Sequence, residues 1–160
     1  MFFTEVNGEE VAIKLVLIYE EQEEALENEI KAHEALKGSL HCVVASEIYY
    51  AQSPNKANPS YVYFVMKKIN GGDGFEMANK PFTKLSQKQK ISALLGVAKG
   101  VLEMHERGIT HRDIKPENML VTEPDPETGL VEGFLADFGG CEYVERVRPG
   151  QGYEIGRAHV

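Results

Sequence analysis

Two runs rich in apolar, β-branched and aromatic residues open the chain, with a polar turn between them. Residues 2–6 and 11–18 flank the pair Asn7-Gly8. Asn-Gly between two such runs is a strong short-range signal for a two-residue hairpin turn. The pattern therefore predicts two antiparallel strands at the start of the chain.

An acidic helix is predicted over residues 20–37, where most residues favour helix and Gly38 follows as a stop. One face of this helix carries, at helical spacing, Leu26, Ile30, His33 and Leu36. Residues 43–50 and 61–69 then have strand composition, and a loop containing Pro and Asn joins them over 52–60. The predicted order so far is strand, strand, helix, strand, strand.

The residue pattern changes from strand-like to helical after Gly71-Gly72. Ser86 and Gln89 have the spacing of a capping box, which predicts a helix that starts there and ends near Gly108. Its apolar positions at helical spacing are Ile91, Leu94, Leu95, Ala98, Val101 and Leu102. Residues 119–122 and 130–136 then predict a short hairpin around a turn that contains two prolines and a glycine.

Composition narrows the function classes. The 160 residues carry a formal net charge of -8, with a sequence pI near 5.2, which argues against a broad nucleic-acid or anionic-membrane surface. The two cysteines, Cys42 and Cys141, have neither a disulfide framework nor zinc-ligand spacing. No apolar run approaches the ~18 residues of a membrane span. We expect an intracellular, cytoplasmic protein.

One stretch concentrates polar chemistry. The string HRDIKPEN occupies residues 111–118, and DFG follows at 137–139. It combines a carboxylate, a lysine, an amide and a second carboxylate, which are the groups that phosphoryl transfer from a metal-bound nucleotide requires. The strings resemble those of a eukaryotic-type serine/threonine protein kinase domain. The resemblance covers almost the whole chain.

The resemblance assigns roles in the two signature loops. Asp113 would be the catalytic base towards a substrate hydroxyl, and Lys115 would be a cation beside the transferred phosphoryl group. Asn118 and Asp137 would hold Mg²⁺. Arg112 would bind a phosphorylated activation segment through its guanidinium, although residues 140–160 contain no Ser or Thr.

The string VAIK at residues 11–14 resembles the strand motif whose lysine holds the α- and β-phosphates of ATP. A helix carboxylate would pair with Lys14 and fix it. At about 100° per residue, Glu29 falls within the arc of the apolar face of the predicted helix, whereas Glu27 falls on the solvent side. We therefore expect Glu29 to be the partner of Lys14.

Residues 62–73, VYFVMKKINGGD, resemble the hinge between the two lobes of a kinase. The resemblance implies that Met66 is the gatekeeper, that Lys67 and Ile69 offer backbone groups to adenine, and that Asp73 faces the ribose. Ala12 and Leu120 would sandwich the purine ring. The alternative is that 71–73 form a simple turn.

The resemblance implies an α+β, bilobal kinase-like fold. We expect a partial domain over 1–153, with the N-lobe at about 1–69, the hinge at about 67–73 and part of the C-lobe at 74–153. The glycine-rich loop that covers the phosphates, the first strand and the APE motif have no counterpart here. Residues 154–160, EIGRAHV, back-translate to a widely used sequencing-adaptor sequence, so we expect a non-native tail.

The expected function is ATP-dependent, Mg²⁺-dependent phosphorylation of Ser or Thr hydroxyls on protein substrates by the parent domain, with weak or absent turnover by this chain alone. Two alternatives stay open. One is a pseudokinase-like protein-binding module, and the other is a small-molecule phosphotransferase with a related fold. The sequence indicates no nucleic-acid partner and leaves the oligomeric state open.

Overall fold

The computed structural model describes residues 1–19, 22–52, 60–79 and 85–144. Most of the predicted loop 52–60 and the suspected tail 154–160 lie outside these ranges. The elements follow the predicted order, with additional short ones in the second half.

A four-stranded sheet forms the first part of the molecule. Its strands are β1 (Phe2–Val6), β2 (Glu9–Ile18), β3 (Ala45–Ala51) and β4 (Ser60–Lys67). They lie in the order β1-β2-β4-β3, and every neighbouring pair is antiparallel. The predicted hairpin turn is present, because Asn7 and Gly8 both adopt positive φ angles, of 53° and 85°, as this class of turn demands. The register set by that turn places Ala12 opposite Phe3 on one side and Met66 on the other.

Helix α1 (Glu23–Ala35) follows the β1–β2 hairpin and ends before the predicted end at Lys37. Residues 20 and 21 of the predicted helix lie outside the described residues. The predicted apolar face points inward, since Leu26, His33 and Leu36 are buried and Ile30 is half-buried. Glu29 is also on that face and is only 4% exposed. The helix therefore carries a carboxylate into the interior.

The second part of the molecule is built around two helices and small strand pairs. The elements are α2 (Gly74–Asn79), α3 (Gln87–Glu106), β5 (Ile109–Thr110), a 3₁₀ turn (Pro116–Asn118), β6 (Met119–Val121), β7 (Gly133–Leu135) and β8 (Glu142–Tyr143). β6 pairs with β7 as predicted, whereas α2 and the β5–β8 pair were not predicted. The capping box of α3 is present, because Ser86 Oγ accepts from Gln89 N–H and Gln89 Oε1 accepts from Ser86 N–H.

The buried face of α3 differs from the predicted apolar stripe. Ile91, Leu94, Leu95 and Leu102 are 48–59% exposed, and Ala98 is exposed as well. The buried positions are instead the small residues and their neighbours, namely Ala93, Gly96, Val97, Gly100 and Met104. The reason is the close approach of β7. A Cβ on Gly96 would lie 2.3 Å from the carbonyl oxygen of Gly133, so only small residues fit there.

A hydrophobic core joins the two parts of the molecule. It combines Ala32 and Leu36 of α1 with Val97 and Met104 of α3, and with Leu135 and Phe138. Backbone hydrogen bonds support the connection, with Val43 N–H donating to Leu135 O at 2.8 Å and Leu135 N–H donating to His41 O at 2.9 Å. The expected α+β arrangement, an antiparallel-sheet lobe against the first part of a helical lobe, is confirmed.

Both cysteines are buried and free. Within the ranges described above, no helix is long and apolar enough to cross a membrane.

Candidate active site

Lys14 lies on β2 at the centre of a three-element contact. Its Nζ donates to Glu29 Oε1 of α1 at 2.5 Å and to Asp137 Oδ1 at 2.7 Å. The sheet, the helix and the segment after β7 thus meet at one ammonium group. The predicted inward orientation of Glu29 is present, while Glu27 is exposed and forms an ion pair with Lys31 at 2.9 Å.

The electrostatics of this contact follow from burial and charge. Burial by itself would lower the pKa of Lys14, but the charge of Glu29 and the hydrogen bonds to Asp137 and Glu29 outweigh it and raise the pKa. Burial raises the pKa of Glu29, and Lys14 offsets part of that effect. Burial likewise opposes ionisation of Asp137, yet the hydrogen bond and charge of Lys14 lower the pKa of that carboxyl. Lys14 is therefore held as a cation beside acceptors.

The β6–β7 hairpin brings the two signature loops side by side, as predicted. Ala136 N–H donates to Asn118 O at 2.9 Å, directly before Asp137. His111 fixes the same region from the other loop, because its Nε2 lies 3.0 Å from Ala136 O and its Nδ1 lies 3.3 Å from Asp113 N. A backbone N–H can only donate, so Nδ1 accepts and Nε2 carries the ring proton. His111 is buried and serves the backbone.

Asp113 is surrounded by donors. Lys115 Nζ donates to its Oδ2 at 2.6 Å, and Asn118 Nδ2 donates to the same oxygen at 3.0 Å and to the Asp113 carbonyl at 2.9 Å. The hydrogen bond and charge of Lys115 lower the pKa of Asp113. Among the described residues Oδ1 accepts no hydrogen bond, and the side chain is 45% exposed. That oxygen can accept from an incoming hydroxyl group.

Two oxygens remain for a hard cation. The amide nitrogen of Asn118 donates to Asp113, so its Oδ1 has no hydrogen-bond donor among the described residues. Asp137 uses Oδ1 on Lys14 and, at 3.4 Å, on Gly139 N–H, and Oδ2 accepts none from them. One amide and one carboxylate oxygen suit Mg²⁺, which is bound through few protein ligands together with substrate phosphates. No group of three or more His, Cys, Asp or Glu that could hold a metal occurs in the described ranges.

The backbone is strained at two points of this site. Asp137 has a φ angle of 65° and Arg112 one of 66°, in the left-handed region that residues other than glycine seldom adopt. Such conformations persist where the surroundings enforce them, and they cluster at functional sites. Arg112 directly precedes Asp113, and Asp137 is itself one of the two carboxylates, so the strained backbone lies at or next to both of them.

An apolar surface lies beside the carboxylates. Met66, Ile69 and Leu120 belong to one hydrophobic cluster, and Ala12 pairs with Met66 across β2 and β4. Lys67 ends β4 with its side chain exposed. Lys68 N–H donates to Glu10 O at 3.3 Å, whereas the backbone N–H and C=O of Ile69 form no hydrogen bond with any of the described residues. A backbone donor and a backbone acceptor of Ile69 are thus available next to an apolar surface.

The segment 71–73 is more than a turn. Gly71 N–H donates to Val121 O at 2.9 Å, and Val121 N–H donates to Gly72 O at 2.9 Å, so the segment pairs with β6 and Asp73 bridges to Leu120. Gly71 is required by this packing, since a Cβ there would lie 2.3 Å from the Thr122 carbonyl. Asp73 also accepts the Glu76 N–H at 2.8 Å and so caps α2.

The sequence analysis missed two residues that contact this site. Glu142 accepts a hydrogen bond from Arg112 Nη1 at 2.7 Å, and nothing in the sequence between DFG and β8 indicated that contact. His33 was counted only as part of an apolar face. Its ring lies 4.9 Å from those of Phe64 and Phe138, and its Nδ1 accepts Ala45 N–H at 3.0 Å.

Comparison with known proteins gives one matching family and several relatives. A sequence profile of the protein kinase domain matches residues 2–154. The serine/threonine-protein kinase DCLK3 of Mus musculus is 34% identical over 114 residues, which are 65% of this chain and 14% of that protein. The calcium/calmodulin-dependent protein kinase type 1 of Caenorhabditis briggsae is 32% identical over 120 residues, 74% of this chain and 30% of that protein.

A third relative is the human calcium/calmodulin-dependent protein kinase type IV, 34% identical over 88 residues, which are 54% of this chain and 18% of that protein. In all three cases the chain spans less than a third of the relative's length.

Proposed function

The chain belongs to the protein kinase domain family, and on that premise we propose that its parent protein transfers the γ-phosphate of ATP to Ser or Thr hydroxyls of protein substrates. The observation that carries the proposal is the contact of Lys14 with both Glu29 and Asp137. In this chemistry a strand lysine paired with a helix carboxylate orients the nucleotide phosphates, and the DFG carboxylate beside it is the group that holds the metal ion. The names of the relatives support the Ser/Thr specificity.

Each remaining site residue has a role in this proposal. Asp113 receives the substrate hydroxyl at its unpaired Oδ1 and orients that hydroxyl for attack, while Lys115 stays on Oδ2 as a cation next to the reacting phosphoryl group. Phosphoryl transfer demands little covalent chemistry from the protein, so positioning and charge supply most of the rate.

The nucleotide would lie between the sheet and β6. Ala12 and Leu120 would contact the two faces of adenine, with Met66 at the back and the backbone of Lys67 and Ile69 at its polar edge. Asp73, held beside Leu120, would face the ribose. Asn118 and Asp137 would hold Mg²⁺, which neutralises phosphate charge when it is bound.

For the 160-residue chain by itself we propose weak or absent turnover. Four apolar side chains of α3 are about half exposed, and contiguous exposed apolar surface of this kind is a site that another part of a protein normally covers. Asp113 and Lys115 are also 45% and 46% exposed, so water competes for the groups that must be positioned.

The test is transfer of labelled γ-phosphate by the full-length protein to a mixture of protein substrates, followed by phosphoamino-acid analysis. We expect phosphoserine or phosphothreonine in the wild type and its loss in Asp113→Asn. Phosphorylation of small hydroxyl or amine compounds alone would favour the small-molecule phosphotransferase. ATP-independent partner binding with no transfer to any acceptor would favour the binding module. The same assay on the 160-residue chain measures its residual turnover.

A further inference from the structure

Arg112 and Glu142 form an ion pair between the loop 111–118, which we call the catalytic loop, and the segment after DFG. Arg112 Nη1 lies 2.7 Å from Glu142 Oε2. We propose that Glu142 is a positioning residue that supplies, within the chain, the anion for Arg112, so that the catalytic loop is held in place without a phosphate on the activation segment. This inference rests on the proposed kinase function and adds a mode of regulation to it.

The backbone brings Glu142 to this position. β5 and β8 pair with Ile109 opposite Tyr143 and Thr110 opposite Glu142. Thr110 Oγ1 donates to Glu142 O at 3.2 Å, and Val144 N–H donates to Gly108 O at 2.8 Å. Glu142 therefore lies on a strand whose register is fixed by backbone hydrogen bonds. It is opposite Thr110, and Arg112 follows Thr110 by two residues.

The strained backbone of Arg112 persists only where its surroundings hold it, and the ion pair with Glu142 is one of the contacts that do so. The φ angle of 66° at Arg112 costs free energy for a residue with a side chain, and Arg112 is bonded directly to Asp113. A fixed guanidinium holds the peptide that leads into the catalytic carboxylate, while His111 holds the other side of it through Ala136 and Asp113. Loss of the Arg112 partner should thus disturb the orientation of Asp113 and leave Lys14, Glu29 and Asp137 in place.

The Glu142 carboxylate disfavours a second anion at Arg112. Arg112 makes its one ion pair within the described residues with Glu142, and the nearest cation of the same loop, Lys115, is bound to Asp113. A phosphate placed at Arg112 would meet the Glu142 carboxylate as a like charge. Both members of the pair are more than half exposed, so their contribution to folding stability is small, and the pair acts on position.

The experiment compares the full-length wild type with Glu142→Asp, Glu142→Gln and Glu142→Lys. The control Glu127→Lys makes the same charge change at the exposed β6–β7 turn. For each protein kcat, KM for ATP and thermal unfolding are measured before and after treatment with a phosphatase. Asp113→Asn is included, because an inactive wild type that equals this variant would refute the kinase function itself and not the role of Glu142.

We expect Glu142→Gln to lower kcat about 3- to 10-fold and Glu142→Lys to lower it further, with KM for ATP within about twofold of the wild type. Glu142→Asp should restore most of the rate, and Glu127→Lys should match the wild type. Phosphatase treatment should leave wild-type kcat unchanged. An active wild type that loses its activity on dephosphorylation, or a Glu142→Gln variant with unchanged kcat, would overturn the inference.

Discussion

Lys14 Nζ and Glu29 Oε1 lie 2.5 Å apart across the interface between β2 and α1. Glu29 is 4% exposed, so its carboxylate is largely desolvated. The ammonium group of Lys14 offsets the free-energy cost of that desolvation. The helix can therefore take only the rotation that presents Glu29 to the sheet. Glu27, two residues earlier, points to solvent and pairs with Lys31 instead.

The first prediction concerns that pair. Glu29→Gln removes the charge that fixes Lys14, and a misplaced Lys14 holds the nucleotide phosphates poorly. Displacements of about 1 Å at such a group can cost about 10²-fold in rate, and we expect a loss of kcat/KM for ATP of that order. The matched control is Glu27→Gln on the exposed face of the same helix, which should retain wild-type values. Equal kinetics for the two variants would contradict the role of Glu29.

The second prediction separates catalysis from nucleotide binding. Asp113→Asn keeps the shape of the side chain and its acceptor oxygen for Lys115, but it removes the carboxylate that we propose receives the substrate hydroxyl. General-base effects are typically about 10²- to 10⁴-fold, so we expect kcat to fall by that factor while the affinity for ATP stays near the wild-type value. Nucleotide binding is measured by calorimetry on the same preparation, with Glu127→Gln as the surface control. A variant with unchanged kcat would remove Asp113 from the mechanism.

Local patterns were enough to predict the elements that carry the site. The Asn7-Gly8 turn, the Ser86–Gln89 capping box and the inward rotation of Glu29 each depend on residues close in sequence, and all three are present. The β6–β7 hairpin followed from its turn residues and set the two signature loops side by side. Sequence reasoning works well where short-range chemistry decides the structure.

Most of what the sequence did not predict depends on contacts between distant segments. Helical spacing identified α3, but of the apolar residues that it placed on one face only Val101 packs against the core. The close approach of β7 to Gly96 decides which face of the helix is buried. The Arg112–Glu142 pair joins residues 30 positions apart through two-residue strands that have almost no sequence signal. α2 was missed because six residues after two glycines show too little periodicity.

The third prediction is a pH dependence of stability that originates at His33. Burial, with the nearby charge of Lys14 acting in the same direction and that of Asp137 opposing it, lowers the pKa of His33 from 6.5 to about 4. Glu29 also faces the ring, 3.9 Å away. The folded state therefore binds fewer protons than the unfolded state between these values. The stability is fully present above pH 6.5 and is lost as the pH falls towards 4.

A difference of one in pKa corresponds to about 1.4 kcal/mol, so the total loss is on the order of 3 kcal/mol. His33→Asn retains an acceptor for Ala45 N–H but does not titrate. Urea unfolding of both proteins across this pH window should give a shallower slope for the variant, by at most about 1.4 kcal/mol per pH unit. Histidines and carboxylates that do not contact residue 33 are common to both proteins, and their contributions cancel. Parallel curves would show that His33 is not the source.

The last prediction concerns the packing of α3 on β7. A Cβ on Gly133 would lie 1.9 Å from the carbonyl oxygen of Ala93, and this oxygen belongs to a helix backbone that cannot rotate away as a side chain can. Gly133→Ala must therefore push β7 from α3, and overpacking of this kind costs about 1–3 kcal/mol. β7 leads into Asp137, so the same shift should also weaken the contact of that carboxylate with Lys14 and lower kcat/KM for ATP.

Gly140→Ala is the control for stability, since a Cβ there meets its nearest atoms at 3.6 Å, an ordinary contact distance. Urea unfolding should show a loss for Gly133→Ala alone, and equal midpoints for the two variants would mean that the α3–β7 approach does not limit the fold.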